Sequence, residues 1–166
     1  MAETIFVKIE GCESDCTEEN HIGWIVTEGV DFEVKRVVDM TDFGGTNRGL
    51  GNAEFGKVKL KTNFGKASPA LMLAVASGKV FPEITIHQCA SGDAEDQGLE
   101  PYIIWTLKNV QIDSFTYDGP SDGTSSHEWE LAYRNVTLEY SETDDSSNKL
   151  TKVSEFKWDL PKGKVA

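Results

Sequence analysis

The sequence lacks long hydrophobic runs, and it has too few basic residues to offset its acidic ones. No stretch approaches the roughly 18 apolar residues of a membrane-spanning helix, so we expect no membrane insertion. Sixteen Lys and Arg against 28 Asp and Glu give a formal net charge of −12. This charge repels phosphate backbones and argues against nucleic-acid binding. With 39% hydrophobic residues among 166, the chain has enough apolar material for one folded domain, which we expect to span residues 1–166.

Cysteines are also scarce, and their spacing does not indicate a metal site. Cys12 and Cys16 lie in an acidic segment, and their C-x3-C spacing has no second Cys or His pair to complete a zinc site. We interpret both, together with Cys89, as reduced thiols. The N-terminal residues carry neither the basic nor the apolar stretch of a secretory leader, so no cleaved signal is expected.

Catalytic signatures are missing as well. The three histidines, His21, His87 and His127, have no partner at metal-ligand spacing, and no nucleophile-elbow, P-loop or H-E-x-x-H motif is present. Two acidic loops lack the ligand spacing of a calcium-binding loop. We therefore expect neither a cofactor nor a metal ion. An enzyme using His21 or His127 is the weakest of our hypotheses.

Alternation of apolar and polar residues dominates the chain and predicts strands. Between residues 22 and 35 the even-numbered positions are mostly apolar, which predicts one long strand with four polar odd-numbered residues facing water: Thr27, Asp31, Glu33 and Lys35. Residues 102–110 are apolar on both faces and need a second layer over them, either a helix or another subunit. In residues 129–140 the alternation changes phase near Arg134, which predicts a β-bulge.

One segment has a helical pattern, and one long segment has no regular pattern. Ser68 suits an N-cap, Pro69 suits the first turn and Gly78 suits the position after the last turn, so a helix is predicted over 68–77. Glycines and scattered apolar side chains fill residues 37–56, a length that predicts a functional loop. The predicted fold is therefore mainly β: a two-sheet β-barrel with one short flanking α-helix and a long Gly-rich extended loop.

The lysines and acids are unevenly distributed along the chain. Residues 57–66 contain four lysines and no acid, whereas residues 91–100 contain four acids and no base. If these segments lie on opposite faces of a subunit, head-to-tail contacts between copies are electrostatically complementary. The alternative is that the lysines at 57, 59 and 61 protect the exposed side of an edge strand. The sequence does not distinguish the two interpretations.

Several short motifs follow one another in an order that resembles a known family. They are His21-x-Gly23-Trp24-Ile25, Gly56-Lys57-Val58, Ser68-Pro69-Ala70-Leu71-Met72-Leu73-Ala74 with Ser77-Gly78-Lys79, Tyr102-x-x-x-Thr106-Leu107-x-x-Val110, Leu131-x-Tyr133-x-x-Val136-x-x-x-Tyr140 and Phe156-x-Trp158-Asp159. Together they resemble the haemolysin-coregulated protein (Hcp) family, the tube proteins of bacterial type VI secretion systems. The helix motif alone is moderately specific, and the complete series is strongly so.

The resemblance implies a non-enzymatic protein that forms homo-hexameric rings, which stack into a secreted tube carrying effectors in its lumen. Its implied partners are further copies of itself, the sheath and spike proteins, and effector proteins. It implies a bacterial cytoplasmic location before firing, then export without a signal peptide to the extracellular space or a target cell. In such a tube, the polar residues Thr27, Asp31, Glu33 and Lys35 suit the lumen. Four residues of the glycine-rich loop suit an arm laid across the next ring: Met40, Phe43, Arg48 and Leu50.

One further class remains open at this point. A monomeric β-barrel that binds a small ligand shares the predicted strands, but it requires apolar side chains lining a cavity. Such a barrel has little use for a long loop with scattered apolar residues or for an apolar helix.

Overall fold

The computed structural model describes residues 4–36, 53–91, 99–143 and 150–165. These residues form eleven strands and one helix: β1 (Thr4–Ile9), β2 (Ile25–Thr27), β3 (Gly29–Asp31), β4 (Val34–Arg36), β5 (Ala53–Phe55), β6 (Val58–Asn63), α1 (Ser68–Ser77), β7 (Val80–Ser91), β8 (Leu99–Asp118), β9 (Ser126–Ala132), β10 (Asn135–Thr143) and β11 (Leu150–Asp159). The mainly β class with one short helix is confirmed. No helix of this part of the chain is long and apolar enough to cross a membrane.

The strands form two antiparallel sheets. Seven strands of the main sheet follow the order β2-β1-β7-β8-β9-β6-β3, and β10 pairs with both β8 and β11. A second sheet contains only β4 and β5. The end strands β2 and β3 are joined through Glu28, whose N–H donates to the Lys61 carbonyl at 2.8 Å. The main sheet thus curls back on itself, but its described strands do not close a hydrogen-bonded barrel.

The longest strand, β8, changes its buried face at Asn109. Trp105 and Leu107 are buried before this residue, and Val110 and Ile112 after it. Asn109 adopts a left-handed conformation with φ 53°, and the face changes there without a register shift against β7, where Phe81 lies opposite Val110 and Glu83 opposite Lys108. The half of β8 before Asn109 pairs with β10, and the half after it pairs with β9. This change of phase accounts for Val110 on the second parity of 102–110, whereas Tyr102 and Ile104 precede it and lie half-buried on the opposite face.

The buried parity changes near Arg134 as predicted, and the change falls at the break where β9 ends at Ala132 and β10 begins at Asn135. Leu131 and Tyr133 are buried before the break and Val136 after it. At the break, the Arg134 N–H donates to the Lys108 carbonyl at 3.1 Å. Strands β9 and β10 therefore form separate ladders with the two halves of β8, rather than one bulged strand.

The single strand predicted over residues 22–35 is wrong. The chain forms three short strands there, because it crosses at Glu28 from one end of the main sheet to the other. The buried parity changes at this crossing: Ile25 and Thr27 are buried, and Val26 is 49% exposed. The predicted alternation holds only beyond Glu28, where Asp31 is exposed.

Helix α1 has the predicted bounds. Its N-cap is Ala67 rather than Ser68, and the Ser68 hydroxyl instead accepts a 3.0 Å hydrogen bond from the Gly65 N–H. Gly78 ends the helix in the left-handed conformation, with φ 67° and ψ 30°. Because this conformation favours glycine, the C-terminal signal was readable from the sequence.

Strand β5 occupies the end of the predicted loop. It pairs with β4 in register, with Val34 opposite Phe55 and Arg36 opposite Ala53. The extended loop predicted over 37–56 is therefore wrong for its last residues. Residues 37–52, which contain the rest of it, lie outside the described residues.

Candidate functional site

The polar residues predicted to face a lumen do not all lie on the surface. Asp31, Glu33 and Lys35 are exposed. Thr27 is only 5% exposed, and its hydroxyl has no hydrogen-bond partner among the described residues. The burial of Thr27 follows from the change of parity at Glu28. The other three residues, Asp31, Glu33 and Lys35, remain exposed and available to line a channel. The predicted stacking residues Met40, Phe43, Arg48 and Leu50 lie outside the described residues.

The exposed side of β3, β6 and β9 carries rows of opposite charge. Asp31 lies opposite Lys59, which in turn lies opposite Glu130 at 3.9 Å between the charged atoms. One row further along, Lys61 lies opposite Glu128. We call this surface the charged face. Exposed pairs of this kind contribute roughly 0–1 kcal/mol each, so the charged face is a recognition or solvent surface more than a source of stability.

The lysines of β6 do not protect a sheet edge. Strand β6 lies between β3 and β9, so the edge-strand interpretation is wrong. Lys57 forms a hydrogen-bonded ion pair with Asp113, and this bond raises the pKa of the lysine. The basic charge of residues 57–66 is therefore partly neutralised within the subunit. Most of the acidic segment 91–100 lies outside the described residues, so stacking by charge complementarity stays a prediction.

An aromatic cluster anchors the β4–β5 hairpin to the main sheet. The ring of Phe32 lies 5.0 Å from that of Trp105, and the ring of Phe55 lies 5.7 Å from that of Trp158. The Tyr133 hydroxyl donates a 2.8 Å hydrogen bond to the carbonyl of the residue after β5, and burial raises the pKa of this tyrosine. Phe55 lies within the loop predicted over 37–56, and its neighbours in the sequence do not indicate the contact with Trp158.

Helix α1 has one buried and one exposed apolar side. Leu71 and Ala74 are buried in the main core. Met72 and Leu73 are 46% and 68% exposed. The apolar composition of the helix is therefore only partly explained by packing within one subunit. Exposed apolar side chains on an ordered helix are typical of contact surfaces.

Large side chains fill the core of the main sheet. Trp129, Leu60 and Leu131 are among the fully or almost fully buried residues there. The Trp129 indole N–H donates to the Thr62 hydroxyl at 2.9 Å, which satisfies the polar atom of the largest core residue. This dense filling is unfavourable for a barrel that holds a small ligand in its interior.

Two histidines that sequence analysis treated as isolated lie in contact. His21 Nε2 lies 3.0 Å from His87 Nδ1, and His21 Nδ1 is hydrogen-bonded to the Glu18 carboxylate. Burial, followed by the charges of His21 and Lys8, lowers the pKa of His87 to about 4. The two histidines are 66 positions apart, so spacing could not have revealed the pair.

Cys89 lies beside this pair, with its Sγ 3.8 Å from His21 Nε2. Burial, followed by the charge of Glu18, raises the pKa of this thiol to about 12. It is therefore protonated at neutral pH and is a poor nucleophile. Cys12 and Cys16 are free cysteines as well, and burial raises the pKa of Cys12.

His127 lies in an apolar setting that does not suit a general base. It is 1% exposed and stacks on Phe115 at 4.4 Å, and in the part of the chain that the structure describes neither ring nitrogen has a hydrogen-bond partner. Burial lowers its pKa. A substrate cannot reach this ring, so the structure gives no support to the catalytic hypothesis for His127.

Comparisons with known proteins agree with the motifs. The model of the family described as "Type VI secretion system effector, Hcp" matches residues 6–140. Among solved structures, one described as that of a type six secretion system protein has a TM-score of 0.87 at 23% identity, covering 98% of this chain and 99% of its own. Hcp1 from Salmonella typhimurium has a TM-score of 0.77 at 19% identity, covering 100% of both chains.

A type VI secretion system effector from Yersinia pestis has a TM-score of 0.70 at 17% identity, covering 93% of this chain and 98% of its own. No curated protein sequence matches significantly. At these identities the solved structures establish the fold, whereas the family match covers most of the sequence. The chain belongs to the Hcp family of type VI secretion system proteins.

Proposed function

We propose that this chain is a non-enzymatic tube subunit that assembles into hexameric rings, and that the rings stack into a tube that carries effectors. Its membership of the Hcp family carries this proposal. The whole of residues 1–166 acts as one Hcp-like unit and requires no cofactor. Its partners are copies of itself, the sheath and spike proteins of the apparatus, and effectors.

The exposed side of α1 supports self-assembly. Leu73 is 68% exposed and Met72 is 46% exposed, in a helix without charged residues. Contact with another subunit removes these side chains from water, at roughly 25 cal/mol per Å² of apolar area. When such a contact joins two different surfaces and its rotation closes, it produces a ring.

The charged face supports a wet channel. Asp31 belongs to this face, and Glu33 and Lys35 follow it along the chain. Opposite charges that neighbour one another within a subunit, as Lys59 and Glu130 do, leave few strong binding sites for a passing protein. A surface of this type suits a lumen through which cargo has to move.

Export follows from the same assignment. A tube subunit is made in the bacterial cytoplasm and leaves the cell through the apparatus itself, reaching the extracellular space or a target cell. No signal peptide is needed on this route.

Light scattering together with negative-stain imaging tests the proposal. We expect a mass of six subunits and ring-shaped particles for the wild-type chain. Leu73→Asp should reduce the mass towards that of one subunit, because a carboxylate is costly in an apolar contact. Val165→Asp is the matched control, since Val165 is also 68% exposed. A wild-type chain that stays monomeric at high concentration would contradict assembly, and ligand binding would become the better hypothesis.

A further inference from the structure

The Glu18–His21–His87 contacts hold an irregular segment, residues 10–24, against the outer side of β1 and β7. We call this segment the acidic loop, because five of its residues are Asp or Glu. His21 stacks on Phe6 of β1 with ring centroids 4.1 Å apart and planes at 9°, and its Nε2 faces His87 of β7. On this outer side the acidic loop contacts the sheet through His21 and Trp24, and at its start Cys12 is buried in the main core.

Backbone hydrogen bonds fold the acidic loop around His21. The Ser14 N–H donates to the Gly23 carbonyl at 2.9 Å, and the Gly23 N–H donates to the Cys16 carbonyl at 3.0 Å. The Trp24 ring meets His21 edge-on at 4.7 Å and lies 4.6 Å from His87. Movement of His21 away from His87 thus disturbs the whole loop.

The hydrogen bond between the two histidines admits only one proton. His21 Nδ1 donates to the Glu18 carboxylate, so its Nε2 is the atom available to His87. Either His87 Nδ1–H donates to a neutral His21, or a protonated His21 donates to a neutral His87. When both rings are protonated, two N–H groups face each other across the 3.0 Å contact and no hydrogen bond is possible.

The charged and titratable neighbours come from three elements. The acidic loop contributes Glu18, which is hydrogen-bonded to His21; β1 contributes Lys8, which opposes a cation on His87; and β7 contributes Cys89, which is a neutral thiol. On β8, the residue opposite His87 is the uncharged Ile104. Among these described neighbours Glu18 is the one anion, and it is already bonded to His21.

We propose that His21 and His87 form a proton-operated latch, which holds the acidic loop on the sheet when the pair shares one proton and releases it when both rings are protonated. The main core lies on the other side of β1 and β7 and does not include either histidine. Cys12 at the start of the loop belongs to that core and stays in place, so release concerns the loop from residue 13 onward and leaves the sheet folded. The latch belongs to the single subunit and requires no assembly.

The direction of the pH response follows from proton binding. Burial lowers the pKa of His87 to about 4 in the latched form, whereas an exposed histidine in the released form has a pKa of about 6.5. The released form thus binds more protons in acid. The latch is fully closed above pH ~6.5, and its opening constant should rise about tenfold per pH unit as the pH falls from there towards about 4.

Hydrogen exchange of the full-length chain, followed by NMR from pH 7 to pH 4 and corrected for intrinsic rates, measures this opening. The amides of Ser14 and Gly23 report on the acidic loop, and that of Leu107 in the core reports on global unfolding. We expect the loop amides to lose protection in acid while the Leu107 amide stays protected. Loop protection that is independent of pH, or lost only together with that of Leu107, would overturn the latch.

Two variants separate the histidine pair from other acid effects. His87→Gln replaces one ring with an amide that can donate or accept, so the loop should stay protected in acid. His127→Phe removes a different buried histidine and should leave the loop response as in the wild type. A wild-type response in His87→Gln would overturn the proposal. If that variant does not fold, Glu18→Gln provides the test: losing the anion should move opening about one unit towards neutral pH, and an unchanged midpoint would overturn the latch.

Discussion

The Tyr133 hydroxyl donates to the Gly56 carbonyl at 2.8 Å, which ties the junction between β9 and β10 to the end of the β4–β5 hairpin. These residues are 77 positions apart in the sequence. The contact fixes the point at which the chain returns from residues 37–52 to the main sheet. This hydrogen bond therefore fixes the position of Gly56, close to where the described chain resumes at residue 53.

Replacing Tyr133 by Phe should destabilise the fold by about 1–2 kcal/mol, because the partly buried Gly56 carbonyl loses its hydrogen-bond donor while the ring stays in place. Urea unfolding followed by circular dichroism measures the change. Tyr117→Phe is the control, since the Tyr117 hydroxyl bonds to Ser125 on a side chain that is 55% exposed. Equal losses in the two variants would show that the Gly56 contact has no special weight.

Gly56→Ala should also destabilise, by roughly 1–3 kcal/mol as for other overpacked sites. A Cβ at this position would lie 3.3 Å from the Glu33 carbonyl oxygen, and that oxygen already accepts the Gly56 N–H. Gly29→Ala is the matched control, because its added Cβ meets nothing within 4 Å. Thermal unfolding of both variants tests the difference, and a tolerated alanine at 56 would argue against a close approach there.

His127→Phe should make the free energy of unfolding fall less steeply as the pH is lowered. Because burial lowers the pKa of His127 in the folded state, the unfolded chain binds the proton first, and wild-type stability falls as the pH drops below about 6.5. The variant should gain relative to the wild type by up to about 1.4 kcal/mol per pH unit. Unfolding free energies at pH 7 and pH 5 give the two slopes; parallel slopes would mean that other groups control the acid response.

Asp31→Arg should change the retention of effectors without changing the mass of the rings. The new side chain faces Lys59 on β6 and replaces an attractive pair by a repulsive one on the charged face. Asp31→Asn separates the loss of negative charge from the gain of positive charge. Co-purification of an effector, together with light scattering, measures both properties. Dissociated rings in Asp31→Arg would place Asp31 at a subunit contact instead of the lumen.

Local chemistry explains what the sequence predicted well. The bounds of α1 follow from Pro69 in its first turn and Gly78 after its last, and both effects act within one or two turns. The change of phase near Arg134 is visible because Tyr133 and Val136 occupy opposite parities and are both buried. Such features depend on neighbouring residues, so one sequence suffices to find them.

Long-range pairing explains what the sequence could not predict. Residues 22–35 alternate well enough to resemble a single strand, yet Glu28 carries the chain between the two ends of the sheet. The His21–His87 contact likewise depends on β1, β7 and the acidic loop meeting in three dimensions. The alternation of residues within one segment predicts neither the crossing at Glu28 nor the His21–His87 contact, because each depends on which distant strand is the neighbour in the sheet.

The pairing of β1 has a consequence for synthesis on the ribosome. Thr4 lies opposite Cys89 and Ile9 opposite Ile84, so the first strand pairs with one that is made much later. Among the described strands β2 pairs with β1, so it too joins the sheet only after β7 has been made. Until β7 has emerged, Ile5, Val7 and Ile9 have no ladder partner there, and they are exposed to chaperones or to other nascent chains. The first strand of this subunit consequently enters its sheet only after more than half of the printed sequence has been made.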